Sequence, residues 1–152
     1  MGMAMFYHLT RSPLEATLPM ILSRSLEAGW RVAVRAMSPE RLRALDDRLW
    51  LGDADSFLPH GVAGGDYDAD QPILLTTATT TPNRANCLVL VDGAAVDPVE
   101  AAGFERIALI FDGNDDGAVA AARLQWKALT DAGISAQYWS EATGRWEKKA
   151  DK

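Results

Sequence analysis

The stretch that decides the fold is RIALIFDGNDDGAVAAARLQWKALTDAG, residues 106–133. It opens with the apolar run 106–111, which predicts a buried strand. The longest helical pattern of the chain follows at 115–132, and Gly133 closes it. A buried strand that leads through a short polar turn into a helix is the unit from which parallel sheets are built.

The same alternation continues in both directions from this unit. Further strands are predicted at 3–9, 31–36, 73–76, 87–91 and 137–139. Helices are predicted to begin at Ser12-Pro13, Ser38-Pro39 and Asp97-Pro98. The pattern predicts an α/β fold: a single three-layer Rossmann-like domain with a mostly parallel sheet and helices on both faces. We expect this domain to span residues 1–146, with a Gly- and Asp-rich loop at 51–71 and a charged, frayed tail at 147–152.

Length and charge restrict the function. The chain has 152 residues, enough for one domain, and a formal net charge of −6. An acidic domain is poorly suited to bind nucleic acid by itself, because the phosphate backbone is also negatively charged. The basic side chains gather late in the sequence, because residues 123–152 carry six Lys and Arg against four carboxylates. We therefore expect an anionic partner to dock at the C-terminal end.

The sequence carries no signal for a membrane or for the secretory pathway. No apolar stretch approaches the length of about 20 residues that a transmembrane helix needs. The N-terminus lacks the basic region and the long apolar run of a signal peptide. Cys87 is the only cysteine, which excludes an intrachain disulfide and suits the cytoplasm.

Catalytic and cofactor motifs are weak. The glycines of GVAGG, residues 61–65, lack the Gly-Lys-Ser/Thr ending of a phosphate-binding loop, so a plain loop is favoured. His8 and His60 have no visible nucleophile with which to form a catalytic pair. No zinc spacing occurs either. We predict no catalytic residue, no metal site and no cofactor.

An acidic turn after the buried strand leaves one enzymatic alternative. DGNDDG, residues 112–117, matches the first half of a calcium loop, but Arg123 stands where a bidentate Glu is required. The alternative is a magnesium-dependent nucleotide-binding or phosphoryl-transfer enzyme that uses Asp112, Asp115 and Asp116 at a strand end. The favoured interpretation is that Asp115 and Asp116 cap the long helix and complement its dipole.

The long helix carries the more specific signal. On a helical wheel, one broad face gathers Leu124 and the small or apolar residues expected to pack on the sheet: Ala118, Ala121, Ala122, Ala128, Leu129 and Ala132. The opposite face gathers Val119, Arg123, Trp126, Lys127 and Thr130. Two cations beside a large aromatic suit a short acidic peptide with an apolar anchor. The alternative is that Trp126 packs under the C-terminal strand while the cations are merely solvated.

Four segments, taken together, resemble one protein family. They are FY at 6–7, ALDDRLW at 44–50, SFLPH at 56–60 and PILL at 72–75. In order and spacing they are similar to segments of the chi subunit of bacterial DNA polymerase III holoenzyme. The resemblance runs from about residue 5 to residue 146.

The resemblance implies a Rossmann-like fold without nucleotide binding or catalysis, in an accessory subunit of a DNA-directed DNA polymerase. It implies that Arg123, Trp126 and Lys127, with Val119, bind the acidic C-terminal tail of single-stranded DNA-binding protein. Trp50 and Phe57 would bind the psi subunit, or its equivalent, which ties chi to the clamp loader.

Two positions depart from the family pattern. Val119 replaces a common cation, and Trp126 replaces a more frequent Tyr. Both changes weaken the charge of the pocket and enlarge its apolar wall. The resemblance further implies a cytoplasmic protein at replication forks on the nucleoid, with at most weak direct contact to DNA and none to a membrane.

Overall fold

Strands and helices alternate along the chain. The structure, a computed structural model, describes residues 2–50, 59–79, 81–141, 143 and 145–152. The elements are β1 (Met3–Leu9), α1 (Leu14–Glu27), β2 (Val32–Arg35), α2 (Pro39–Trp50), β3 (His60–Val62), β4 (Ile73–Thr76), β5 (Cys87–Leu90), α3 (Pro98–Ala101), β6 (Arg106–Asp112), α4 (Asp116–Asp131), β7 (Ser135–Ser140) and β8 (Glu147–Asp151). A short 3-10 turn, Asp68–Asp70, precedes β4.

The strands of the described part form one sheet with the order β3-β4-β2-β5-β6-β1-β7-β8. Every neighbouring pair is parallel except β7 and β8, which run antiparallel. Parallel strands need crossover connections, and here the helices supply most of them. The predicted α/β domain with a mostly parallel sheet is confirmed.

The core lies in two layers, one on each face of the sheet. One layer packs α1 and α2 against alternate residues of the strands, including Val32, Val34 and Cys87. The other packs α3 and α4 against the residues between them, including Ala33 and Leu88. Strands β2, β4 and β5 are buried along their whole length. This double burial is the reason that these segments read as continuous apolar runs rather than as alternating ones.

The start of α1 differs from its prediction. The start predicted at Ser12-Pro13 places Pro13 in the first helical turn, but Pro13 is the N-cap and no side chain caps the helix. Instead, the Ser12 hydroxyl donates to Glu141 Oε2 at 2.8 Å. The helix continues through Pro19, which has no N–H and so forgoes one helical hydrogen bond.

Two segments that were predicted to be irregular are strands. Within the expected loop 51–71, β3 pairs with β4, so the glycine-rich stretch starts on a sheet edge rather than in a phosphate-binding loop. The expected frayed tail 147–152 is also wrong, because β8 pairs with β7 through Trp139 and Lys148. An edge strand can hold its backbone in the sheet while its charged side chains point into water, so charge alone is a poor sign of fraying.

None of the helices in the described ranges has the length and apolar character needed to cross a bilayer.

Candidate functional site

Helix α4 packs on the sheet with only part of the side that was predicted, and it is turned toward Trp126. Ala122 and Leu129 are buried, and Val119 and Trp126 are half-buried against the same core layer. Leu124, expected to face the sheet, has 71% of its surface exposed. The apolar arc of this helix is wide, and turning it toward Trp126 buries an indole ring in place of a smaller leucine side chain. The prediction that Leu124 faces the sheet is therefore wrong.

Trp126 fills the space between α4 and the paired strands β1 and β7. Its ring centroid lies 5.2 Å from that of Phe6 and 6.1 Å from that of Tyr138, both in edge-to-face geometry. Phe6 and Tyr138 are register partners across the β1–β7 ladder, so both rings project from the same face of the sheet. The packing interpretation of Trp126 is confirmed, while part of its ring stays open to solvent.

The two cations of this helix are exposed, and they differ in their partners. Lys127 Nζ lies 2.8 Å from Asp131 Oδ2, one turn further along the helix. This hydrogen bond raises the pKa of Lys127 and lowers the pKa of Asp131. Arg123 has no ion-pair partner among the described residues. Its guanidinium is therefore the cation that this surface offers most freely to a ligand.

Tyr138 joins the site although sequence reasoning did not select it. Burial raises the pKa of its hydroxyl, and the nearby positive charge of Arg123 opposes that rise. The hydroxyl is hydrogen-bonded to Nδ1 of His8, and the His8 ring packs 5.1 Å from that of Phe111. The signal in the sequence was the aromatic in the predicted strand 137–139, but only the strand order places this strand beside α4. We call Val119, Arg123, Trp126, Lys127 and Tyr138 the α4–β7 face.

The acidic turn before α4 is used to start the helix. Asp115 is the N-cap, and its carboxylate accepts hydrogen bonds from the N–H groups of Gly117 and Ala118 at 2.9 and 3.1 Å. Asp112 accepts one from the N–H of Asn114 at 2.9 Å. Asp116 lies in the first helical turn. In the described part of the chain, no three His, Cys, Asp or Glu side chains come together as metal ligands. The capping interpretation of Asp115 is confirmed.

A second surface lies at the end of α2, across the sheet from α4. Trp50 is 55% exposed, and its ring lies 4.6 Å from that of His60 in β3. Nε2 of His60 is 3.0 Å from the carboxylate of Asp46, so the helix end and the edge strand are joined. Phe57, predicted to share this surface with Trp50, lies outside the described residues.

Fold and site together define a class: a Rossmann-like α/β domain that exposes charged and aromatic side chains on a helix and a neighbouring strand. The chain belongs to the DNA polymerase III chi subunit family, HolC, whose model matches residues 1–137. No curated protein shows significant similarity to it. The match contains Val119, Arg123, Trp126 and Lys127 and ends just before Tyr138. The resemblance found in the sequence is thereby confirmed, and the chain is an accessory subunit of the DNA polymerase III replicase, with a role in DNA replication.

Proposed function

We propose that this subunit connects the clamp-loader part of the replicase to single-stranded DNA-binding protein. It does so by binding the acidic C-terminal tail of that protein on the α4–β7 face. The observation that carries the proposal is the exposed Arg123 guanidinium beside the half-open Trp126–Tyr138 ring pair. A cation next to an aromatic wall matches a tail that is acidic and ends in Phe.

Each residue of the face has a distinct role in this proposal. Arg123 takes a carboxylate of the tail through two parallel hydrogen bonds, which an arginine fork can form. Val119, Trp126 and Tyr138 form the wall against which the terminal Phe ring packs. Lys127 contributes less, because Asp131 already occupies its ammonium group. Since the tail must lose conformational freedom on binding, we expect modest affinity that falls as salt rises.

The link to the clamp loader uses the other surface. We propose that Trp50, together with Phe57, binds a psi subunit or its equivalent. Helices α2 and α4 lie on opposite faces of the sheet, so the two partners can be held at the same time. In this proposal the chain supplies contacts rather than catalysis, acts in the cytoplasm at nucleoid-bound replication forks and touches DNA weakly if at all.

The first test is calorimetric titration of the full chain with an acidic peptide that ends in Phe, at low and at moderate ionic strength. We expect Arg123→Ala to weaken binding about tenfold, the worth of one charge-assisted pair. The matched control is Arg43→Ala, which removes an exposed arginine from α2 on the other face of the sheet. Salt-independent binding, or equal affinities for both variants, would contradict the proposal.

The psi contact has its own test. Trp50→Ala should abolish co-purification with a psi subunit while leaving the titration with the acidic peptide unchanged. Loss of both activities would point to a folding defect, which circular dichroism of the variant would reveal. Intact psi binding by a folded Trp50→Ala protein would overturn the assignment of this surface.

A further inference from the structure

A cleft of about 770 Å³ opens at the carboxyl edge of the sheet, away from both surfaces described above. It is bounded by the ends of β1, β5 and β6 and by the first turns of α1 and α4. Neither Trp126 nor Trp50 lines it. A volume of this size is enough to hold several side chains of a bound partner.

The strand order explains why the cleft exists. The chain leaves β1 to form α1 on one face of the sheet, and it leaves the neighbouring β6 to form α4 on the other. The two connections diverge from adjacent strands, so a crevice remains between them. Open α/β sheets bind their ligands at crevices of this kind.

One wall of the cleft is the small-residue side of α4. Ala118, Ala121 and Ala122 line it, and Ala121 is exposed. Leu124, one helical turn beyond Ala121 and outside the cleft lining, has 71% of its surface in solvent. This is the face that the sequence predicted to pack on the sheet. Ala118 and Ala122 do pack toward the sheet, whereas Ala121 and Leu124 are open to solvent in the described structure.

The rim of the cleft is acidic. Among the described residues, its charged side chains are the carboxylates of Glu15, Asp92, Asp112 and Asp115 and one guanidinium, that of Arg41. Arg41 is already paired with Glu15 at 3.1 Å and hydrogen-bonded to Asp92. The described rim therefore carries a net negative charge, and Arg41 is already paired with its neighbours.

We propose that this cleft is a docking surface for a basic amphipathic segment of a partner protein. The apolar side chains of that segment pack against Ala121 and the apolar lining of the cleft, and its Lys or Arg side chains face the rim carboxylates. Charge complementarity selects the occupant, because an acidic segment would be repelled by the rim. The α4–β7 face carries the opposite charge, so the two sides of one helix select different partners.

The test uses two synthetic helical peptides of equal length, one of leucine and lysine and the other with glutamate at every lysine. Each is titrated into the full-length ¹⁵N-labelled protein. We expect the lysine peptide alone to bind, with shift changes centred on residues 92–95 and 112–122. Binding by neither peptide, or by both equally, would overturn the proposal.

Three variants locate the binding site. Asp112→Asn removes one rim charge but keeps an oxygen to accept the Asn114 hydrogen bond, and it should weaken the lysine peptide about threefold. Ala121→Trp fills the cleft from an exposed position and should abolish binding. The control, Asp66→Asn, removes an equal charge from an exposed turn and should leave binding unchanged. Equal weakening by Asp66→Asn would mean that only net charge matters, and the docking surface would be rejected.

The proposal stands apart from the tail-binding function. Ala121→Trp should still bind the acidic peptide that ends in Phe, because position 121 lies on the other side of α4 from Trp126. If the variant no longer binds the lysine peptide but still binds the acidic one, the two peptides bind at separate surfaces. Loss of the acidic peptide as well would show that the two surfaces are not independent.

Discussion

The indole ring of Trp126 stands edge-on to the phenyl ring of Phe6, with centroids 5.2 Å apart and an interplanar angle of 65°. This pair fixes α4 to the core of the sheet at β1, where Phe6 is fully buried. The residue proposed to receive the tail's Phe is thus also part of the core. Only a conservative substitution of Trp126 should therefore separate its effect on tail binding from its effect on the stability of the fold.

We expect Trp126→Ala to lower the free energy of unfolding by about 2 to 3 kcal/mol, since the ring is half-buried and its loss leaves a cavity against Phe6. Urea unfolding monitored by circular dichroism measures the change. Trp126→Tyr should keep most of the packing and most of the affinity for the acidic peptide. If the alanine variant were as stable as the parent, the ring would not anchor the helix.

Asp131 should weaken tail binding by holding Lys127. The substitution Asp131→Asn leaves the ammonium group of Lys127 without its charged partner, so it becomes available to a tail carboxylate. We expect the affinity for the acidic peptide to rise about twofold at low salt, as for exposed ion pairs. Titration calorimetry measures it, with Asp66→Asn as the control for net charge. An unchanged affinity would show that Lys127 lies outside the contact.

Glu141 ties the turn after β7 to the loop before α1. Its carboxylate accepts hydrogen bonds from the N–H groups of Thr10, Arg11 and Ser12 at 3.0, 2.8 and 2.6 Å. We expect Glu141→Ala to lower the free energy of unfolding by about 2 to 3 kcal/mol, because charge-assisted bonds are lost. Glu105→Gln, at an exposed carboxylate, should have no comparable effect in the same urea titration.

The hydrogen bonds of Glu141 also make the stability of the fold depend on pH in the acidic range. Burial by itself raises the pKa of this carboxyl, but the hydrogen bonds from Ser12 and Arg11 outweigh it and hold the pKa below its ordinary 4.5. The folded pKa is thus lower than the unfolded one. The stabilisation is complete above the unfolded pKa and is lost as pH falls through the folded pKa. In urea titrations at falling pH, the parent should lose stability more steeply than Glu141→Ala, and parallel curves would contradict this.

Cys87 should be unreactive in the folded protein. Burial raises the pKa of its thiol to about 11, although the Ser25 hydroxyl lies 3.8 Å from the sulfur. A rise from 9.0 to about 11 leaves a thiolate fraction about a hundredfold smaller. Iodoacetamide at mildly alkaline pH should therefore modify the urea-unfolded chain quickly and the folded chain very slowly, as mass spectrometry would show. Equal rates would place the thiol at the surface.

Local patterns in the sequence predicted most elements of this fold. Long apolar runs predicted the buried strands. Pro and Asp at helix starts predicted the helices Pro39–Trp50 and Pro98–Ala101. The two missed strands, His60–Val62 and Glu147–Asp151, are edge strands. An edge strand is stabilised by backbone pairing with a neighbour rather than by burial of its own side chains. Its sequence therefore need not show an apolar period.

The sequence predicted which residues of α4 form the candidate site, but it did not predict how they are placed relative to the sheet. Helical spacing brought Arg123, Trp126 and Lys127 together, and they do share one region of α4. The helical wheel could not tell which apolar side meets the sheet, because alanines and Leu124 offered as plausible a core face as Trp126. Tyr138 was missed because its place depends on β1 lying between β6 and β7. That order is a property of the whole sheet rather than of any segment.

The hydrogen bonds of Glu141 have a chemical consequence beyond stability. In nucleotide-binding α/β proteins, the backbone N–H groups after the first strand commonly hold a phosphate group where the next helix begins. Here the chain's own carboxylate already fills that position, so a nucleotide could bind there only by displacing it. These N–H groups therefore serve the fold itself, because the turn after β1 holds the C-terminal hairpin in place while the cleft beside it stays open.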